Sequence, residues 1–400
     1  MQVLSKQVSE AIAGSSWIRR MFEAGIELKK KFGADNVFDF SLGNPDLPSP
    51  AGTGDALREI AAHAAEPLAF GYMPNAGLPE LRAAMAAHLG REQACALMAD
   101  HVIVTCGAAG ALNVFFRAVL EPGDEVVCPA PYFVEYGFYV GNGGGRLVPV
   151  PSRAGDFSLD AAAIEKALTP RTRAVIVNSP NNPTGRIYTR QELEALAAVL
   201  CRHTERVGRP VYLLSDEPYR FLAYDGAEVA PLLPLYPYAA VIGSFSKNLS
   251  LAGERIGYIA LAPDMPGSDE LMKGLILCNR TLGFVNAPVI GQRLVLSLLG
   301  AGVDVSVYDR RRRAMARVLE QAGIPFFMPQ GAFYFFPEVP GHGDDKAFVA
   351  ALQAENILGV PGSGFGFPGH FRLVFCVDER IVERAAPGFK RAVAAFAARR

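Results

Sequence analysis

The sequence has no excess of charge of either sign and no long apolar run. Its 400 residues include 39 Lys and Arg against 40 Asp and Glu, for a formal net charge of -1. Without a basic excess, there is no electrostatic basis for binding nucleic acid or an anionic membrane. No apolar stretch reaches the ~20 residues of a membrane-spanning helix, and the N-terminal residues lack the pattern of a secretory signal. We therefore expect a cytoplasmic protein with neither a nucleic-acid partner nor a membrane partner.

Cysteine is scarce and scattered. The six cysteines contain no Cys-x-x-Cys pair, and the six histidines do not lie at ligand spacing from them. In a chain of this length, such cysteines are typical of reduced core residues in the cytoplasm. Because structural metal sites need clustered Cys and His ligands, we expect no bound metal.

Apolar runs alternate with helical patterns from about residue 100 to 262. The run "HVIVTCGA" (101–108) precedes the amphipathic "AGALNVFFRAVL" (109–120), and "TRAVIVNSP" (172–180) precedes "RQELEALAAVLCRHT" (190–204). Continuous apolar strands separated by helices predict a mostly parallel sheet with helices on both faces. We therefore predict an α/β fold, with polar and glycine-rich residues after the strands, where such sheets bind ligands.

The chain is long enough for two domains. A long basic helix is predicted at 307–323, and the short apolar runs after it are typical of a smaller α+β domain. Its four consecutive arginines, 310–313, are predicted to form a solvated helix face. We expect a large domain at 46–297 and a small domain formed by 1–45 and 298–400.

One lysine, Lys247, lies in "SFSKNLSLAGERIGY" (244–258), just after a predicted buried strand. A lysine in a serine-rich turn is most often solvated, but a buried lysine with a lowered pKa can form a Schiff base. The nearby Ser244 and Arg255 have the chemistry that an anionic phosphate requires. Asp216 ends another strand in "SDEPY", where it either caps a helix or meets a cation.

Two further turns are ambiguous when each is considered alone. The segment "CGAAGAL" (106–112) places small residues between a strand and a helix, where backbone N–H groups could hold a phosphate. A tight turn explains it equally well. The segment "NSPNNPTG" (178–185) is denser in turn residues than a turn needs, but it could be only a loop.

The order of the motifs along the chain resolves this ambiguity. They are "SLGNPD", "GYMPNAGLPELR", "CGAAGAL", "PAPYF", "NNPTG", "DEPY", "SFSKNLSLAGERIGY", "PGSGFG" and "FRLVF". This order resembles the class I aminotransferases, which are pyridoxal-phosphate (PLP) enzymes of fold type I, over roughly residues 35 to 380. The likeness is greatest to the bacterial branch that includes aspartate and alanine aminotransferases. It implies a homodimer that moves an amino group from an amino acid to a 2-oxo acid in a ping-pong reaction.

The resemblance implies a role for each matching residue. Lys247 matches the Schiff-base lysine, which also carries the proton at the substrate Cα, and Asp216 matches the acid that pairs with the pyridinium nitrogen. The other implied cofactor contacts are Gly107, Ala108 and Ala109 in the phosphate turn, Ser244 and Arg255 at the phosphate, Tyr132 stacked on the ring, Asn182 and Tyr219 at its 3′-oxygen, and Tyr72 reaching the phosphate of the second subunit. The implied substrate contacts are Arg372, Asn182 and Gly43 at the α-carboxylate.

The substrate is less well defined by the resemblance. Many relatives carry a hydroxyl residue in the turn where this chain has Gly107, Ala108 and Ala109, and some carry tryptophan in place of Tyr132. Arg280 lies 33 residues after Lys247. An arginine near this spacing grips the distal carboxylate in dicarboxylate-specific relatives, but the match needs one inserted residue. Arg280 is therefore either a surface or interface arginine or the selector of acidic substrates.

Three other functions remain open at this stage. A lyase or decarboxylase could share the fold and the cofactor, although Arg372 and "NNPTG" favour transamination. A non-catalytic effector-binding module would follow a DNA-binding segment, and we expect none because the motifs begin by residue 41. A lysine-dependent aldolase without cofactor would leave the phosphate-binding residues unexplained.

Overall fold

The computed structural model describes residues 3–13 and 17–398. Its strands are β1 (Phe38–Asp39), β2 (Val102–Cys106), β3 (Glu125–Ala130), β4 (Arg146–Pro151), β5 (Thr172–Asn178), β6 (Tyr212–Asp216), β7 (Ala239–Ser244), β8 (Ile256–Leu261), β9 (Tyr334–Phe335), β10 (Ile357–Leu358), β11 (Val360–Pro361) and β12 (Phe371–Val374). Its helices are α1 (Lys6–Ala13), α2 (Trp17–Phe32), α3 (Thr53–Ala62), α4 (Pro79–Glu92), α5 (Gly107–Val119), α6 (Tyr136–Asn142), α7 (Ala161–Ala167), α8 (Arg190–Val207), α9 (Ser268–Thr281), α10 (Val289–Leu298), α11 (Val305–Gln321), α12 (Asp345–Ala354) and α13 (Glu379–Ala397). No helix among these residues is long and apolar enough to span a bilayer.

The main sheet is mostly parallel, as predicted. Within the described residues it has seven strands in the order β2-β8-β7-β6-β5-β3-β4, and only β8 runs antiparallel to its neighbours. Every residue of β6 and β7 is buried. Strands without a polar face must be covered by helices on both sides, and this explains their continuous apolar sequences.

The carboxyl ends of three central strands meet at one edge of this sheet. Asn178, the last residue of β5, is in register with Asp216, the last residue of β6, and Asp216 is in register with Ile242 of β7. Ser244 ends β7 two residues later. Parallel register therefore brings the polar residues that follow these strands to one place, where open α/β sheets bind ligands.

A second hydrophobic core lies outside the main sheet. It includes the buried side chains Phe40, Phe335, Leu373 and Phe389. The strand β12 pairs antiparallel with both β11 and β9, and β1 pairs parallel with β10 through Phe38 and Ile357. The N-terminal segment is thus joined by hydrogen bonds to the last third of the chain.

The prediction for the four arginines 310–313 was wrong. Arg310 and Arg313 are exposed, but Arg311 and Arg312 are buried in α11. The guanidinium group of Arg312 donates to Asp225 at 2.6 Å and to the Pro329 carbonyl at 2.7 Å. Arg311 forms a bidentate ion pair with Asp46, in which Nη1 donates to Oδ1 at 2.6 Å and Nη2 donates to Oδ2 at 2.8 Å. Arg311 and Arg312 therefore connect α11 to loops of the chain by hydrogen bonds, and only Arg310 and Arg313 face water.

Candidate active site

A cavity of about 340 Å³ lies at the carboxyl ends of the central strands. Its walls come from distant parts of the chain, including Gly43, Asn182, Lys247 and Arg372. Most of the residues that the sequence singled out line it, namely Gly43, Ala108, Ala109, Asn182, Asp216, Tyr219, Ser244, Lys247, Arg255 and Arg372. The fold therefore assembles one site from motifs that span more than three hundred residues.

The amine of Lys247 is buried in this cavity. Its Nζ donates a hydrogen bond of 2.8 Å to the carbonyl oxygen of Gly43. Burial lowers the pKa of Lys247 to about 8, and the positive charges of Arg255 and Arg372 act in the same direction. Because only a neutral amine attacks a carbonyl, this environment suits the lysine to covalent chemistry near neutral pH.

The carboxyl group of Asp216 is buried and only half satisfied. Its Oδ2 accepts a hydrogen bond of 2.5 Å from the Tyr136 hydroxyl, whereas its Oδ1 is buried without a partner. Burial raises the pKa of Asp216 to about 7, against the lowering effect of the Tyr136 hydrogen bond. Asn178 donates to the Asp216 carbonyl at 2.7 Å and so fixes the backbone at this point. An unpaired carboxylate oxygen in a cavity wall fits a ligand that carries an N–H group.

The start of α5 forms an anion cradle opposite Arg255. Gly107 has φ +71°, and a Cβ atom there would lie 2.7 Å from Nη2 of Arg255. Only glycine therefore fits between the helix start and this guanidinium group. Ala108 and Ala109 line the cavity at the same helix start, and the buried Ser244 faces it as well. Backbone N–H groups, a hydroxyl and an arginine are groups that could hold a phosphate.

Arg372 is buried in the wall of the same cavity, and not all of its N–H groups have a hydrogen-bond partner. Its Nη1 donates to the side-chain oxygen of Asn182 at 3.0 Å, and its Nη2 donates to the Ser41 carbonyl at 2.6 Å. Its Nε is buried without a partner. The guanidinium group also lies 5.0 Å from the ring centroid of Tyr334 and 4.9 Å from that of Phe365. A rigid, partly unsatisfied guanidinium group of this kind suits a planar carboxylate.

Two tyrosines close one side of the cavity. The hydroxyl groups of Tyr219 and Tyr334 lie 2.6 Å apart. Burial raises the pKa of both, so both phenols stay protonated at neutral pH. A Cβ atom on Gly43 would lie 2.6 Å from the Tyr334 hydroxyl, which requires glycine there. The sequence analysis did not identify Tyr334 as a site residue.

The structure places Phe133, and not Tyr132, in the wall of the cavity. Tyr132 is absent from the lining and instead packs against Gly366, where a Cβ atom would lie 2.6 Å from its ring. Two adjacent aromatic residues in an extended segment point to opposite sides. Phe133, and not Tyr132, is therefore the aromatic residue of this pair that is available to stack on a ring in the cavity.

Besides Tyr132 and Gly107, two more predicted residues, Tyr72 and Arg280, are absent from the lining of the cavity. Tyr72 is 92% exposed, and Arg280 is exposed in the last turn of α9. Both therefore lie on the surface of the chain. Their roles stay predictions.

The cavity fits a phosphorylated aromatic aldehyde. Asp216 offers a free carboxylate oxygen, and Lys247 offers an amine with a lowered pKa. The start of α5 offers backbone N–H groups to an anion. Among the described residues, no group of three or more His, Cys, Asp or Glu side chains could hold a metal ion.

Comparison with known proteins gives the same result. The model of the family "Aminotransferase class I and II" matches residues 35–389. The chain is 32% identical to the aspartate/prephenate aminotransferase of Thermus thermophilus over 98% of this chain and 99% of that protein. It is 33% identical to the aspartate aminotransferase of Geobacillus stearothermophilus over 90% and 92% of the two chains.

Solved structures agree with these relatives. An amino transferase from Eubacterium rectale superposes with a TM-score of 0.94 at 35% identity, covering 99% of this chain and 100% of that chain. The aspartate aminotransferase from Thermus thermophilus with maleate superposes with a TM-score of 0.86 at 30% identity, covering 98% and 100%. The fold and the site thus define a fold type I enzyme that uses PLP. The chain belongs to the aminotransferase class I and II family, and it is a transaminase.

Proposed function

We propose that Lys247 holds PLP covalently and moves the proton at the substrate Cα during amino-group transfer. The observation that carries this assignment is the Nζ of Lys247 inside the cavity, whose pKa of about 8 leaves far more of the amine neutral than in an ordinary lysine. When bound, PLP supplies an electron sink for the electrons of the substrate Cα. The chain supplies the proton transfer, and among the residues that the structure describes Lys247 is the one lysine in the cavity wall.

The remaining residues hold the cofactor and the substrate in place. The free Oδ1 of Asp216 pairs with the ring nitrogen, and Arg255, Ser244 and the backbone from Gly107 to Ala109 bind the phosphate. Phe133 stacks on the ring. Positioning of this kind removes entropy from the reaction before the chemical step.

The substrate α-carboxylate binds at Arg372. Asn182 already accepts a hydrogen bond from Nη1, and the free Nε is available to a carboxylate oxygen. The carbonyl of Gly43 holds the amine of Lys247, while Tyr219 and Tyr334 complete the wall on the ring side. The arrangement fits a ping-pong exchange in which an amino acid leaves as its 2-oxo acid before a second oxo acid enters.

We expect the active form to be a homodimer with shared sites, in the cytoplasm. The surface support for a dimer is an apolar group that includes Leu68 at 87%, Phe70 at 50% and Tyr72 at 92% exposure. Large apolar side chains grouped on a surface are typical of an interaction site. We place the large domain at 46–297 and the small domain at 1–45 and 298–400. Most residues of the second hydrophobic core belong to this small domain, and Phe157, Tyr219, Leu222 and Tyr224 of the large domain pack into the same core.

A half-reaction tests the function. The enzyme is mixed with one amino acid and no oxo acid, and both the cofactor spectrum and the released products are measured. A transaminase yields one oxo acid per cofactor and then stops. Continued release of ammonia or carbon dioxide would instead identify a lyase or a decarboxylase. The Lys247→Ala protein, loaded with PLP, is the control and should yield no oxo acid at a comparable rate.

A further inference from the structure

Five charged side chains line the cavity: Glu135, Asp216, Lys247, Arg255 and Arg372. The proposed function gives a task to four of them, at the ring nitrogen, the reacting carbon, the phosphate and the α-carboxylate. Glu135 is left without a task. A charge in an active-site wall that serves neither cofactor nor α-carboxylate is available to contact the variable part of the substrate.

Glu135 is fixed between two residues of the site. Phe133 lines the cavity two positions before it, and Tyr136, the next residue, is anchored to Asp216 by the 2.5 Å hydrogen bond. Glu135 immediately precedes α6, and its side chain makes no capping hydrogen bond to that helix. Its backbone therefore follows the geometry of the site, while its carboxylate remains free.

The carboxylate of Glu135 is partly buried and unpaired. Across residues 3–13 and 17–398, no hydrogen bond or ion pair forms to its side chain. Burial raises the pKa of Glu135, and no neighbouring cation opposes this effect. Withdrawing a carboxylate from water without a partner costs free energy, which a ligand bearing a cation or a hydrogen-bond donor recovers.

The three cations of the cavity are already engaged. Lys247 reacts with the cofactor, Arg255 binds its phosphate, and Arg372 binds the substrate α-carboxylate. Within the described chain, the cavity therefore has no cation left for a second carboxylate of the substrate. A dicarboxylic substrate would instead meet the negative charge of Glu135.

We propose that Glu135 is a specificity residue that selects amino acids with a cationic side chain over those with a second carboxylate. This inference deepens the proposed function and rests on it. It sets the chain apart from the relatives named for aspartate. It also competes with the predicted role of Arg280, because an arginine from a second copy could neutralise Glu135 or bind an acidic substrate.

Binding without turnover is the direct test. The Lys247→Ala protein, saturated with PLP, is titrated calorimetrically with lysine, norleucine and glutamate. Norleucine has an uncharged side chain of a length similar to that of lysine. Lysine should bind roughly 10- to 100-fold more tightly than norleucine, the range expected of a hydrogen bond to a charged group. Glutamate should bind more weakly than norleucine. Adding Glu135→Gln should abolish most of the lysine preference, and Glu135→Asp should keep part of it.

The matched control is Glu205→Gln, which makes the same chemical change on an exposed carboxylate of α8 outside the cavity. It should leave all three affinities unchanged. Equal binding of lysine and norleucine, or a lysine preference that survives Glu135→Gln, would overturn the proposal. So would a preference for glutamate that disappears in Arg280→Ala.

Turnover separates this inference from the function on which it rests. In the Lys247-containing enzyme, the lysine-to-norleucine ratio of kcat/KM in the half-reaction should fall with Glu135→Gln by the same factor as the binding ratio. If the binding preference is present but no oxo acid forms, Glu135 keeps its role and transamination is wrong. If both amino acids react equally well, transamination stands and Glu135 is not the selector.

Discussion

The hydroxyl of Tyr136 donates a 2.5 Å hydrogen bond to one carboxylate oxygen of Asp216, and the other oxygen is buried without a partner. The bond orients the carboxyl group and leaves one oxygen free for the proposed pairing with the ring nitrogen of PLP. It also opposes the rise in pKa that burial imposes on Asp216. Tyr136 is thus a positioning residue that acts through Asp216.

Tyr136→Phe should lower kcat roughly 10-fold or more, since a hydrogen bond to a charged group contributes about 1.5–3 kcal/mol. Loss of the bond raises the pKa of Asp216 above about 7. More of the carboxyl group is then neutral at pH 7, so the deficit should shrink as the pH is raised. Tyr212→Phe, at the other end of β6, is the control. A pH-independent deficit would leave Tyr136 with a purely structural role.

Attachment of PLP to the apo-protein should accelerate with pH through about 8, the pKa of Lys247. At pH 8 about half of this amine is neutral, against under about 1% of an ordinary lysine with a pKa near 10.4. The attachment rate is followed by absorbance, and borohydride reduction with peptide mapping should place the label on Lys247. Lys390→Ala, an exposed change in α13, should have no effect. A rate that keeps rising towards pH 10 would show an unperturbed amine.

Activity should return when two inactive variants are refolded together, if Tyr72 completes the site of a second copy. Tyr72→Phe chains keep Lys247, and Lys247→Ala chains keep Tyr72, so hybrid dimers contain one intact site. A mixture of Asp216→Asn and Lys247→Ala is the matched control, because both changes fall in the same chain's cavity and no hybrid site is intact. Equal activity in the two mixtures, or an active monomer, would contradict sharing.

Arg312→Met should lower the free energy of unfolding by about 2–3 kcal/mol. The change leaves the Pro329 carbonyl without its donor and removes the Arg312 bond to Asp225, which keeps its bond from Arg313. It also removes a guanidinium group that lies 4.4 Å from the ring centroid of Tyr224. Loss of one partner of a buried pair is strongly destabilising, and the exposure of Asp225 reduces this loss. Arg310→Met, on the exposed face, should stay within about 0.5 kcal/mol. Urea denaturation at saturating PLP measures both.

Much of the fold and site could be predicted because the relevant signals are local. Asp216 and Ser244 end apolar strands, and parallel register alone brings such ends together. The pattern of a strand followed by a helix placed Gly107 in a turn, but its role as a phosphate contact came from the order of the motifs. These residues have positions that depend on backbone geometry, which the sequence specifies over short spans.

The failures concern which way a side chain faces. Tyr132 and Phe133 are both aromatic, and a single position decides which one reaches the cavity. In α11, Tyr308, Arg312, Met315 and Leu319 repeat at helical spacing and are all buried. That period could have revealed Arg312, but its charge was given more weight than its position. Tyr334 contacts Tyr219, which lies more than a hundred residues away in the sequence, and no short-range pattern marks such a contact.

The pairing of β1 with β10 has a consequence for the order in which the protein can form during synthesis. Phe38 is made early, but its partner Ile357 emerges more than three hundred residues later. A ribosome-bound chain that has reached residue 260 already contains Lys247, Asp216 and Arg255, whereas Arg372 does not yet exist. The growing chain thus contains its proposed cofactor-binding residues well before Arg372, the proposed contact of the substrate carboxylate, has been made. The N-terminal segment stays unpaired until translation is nearly complete.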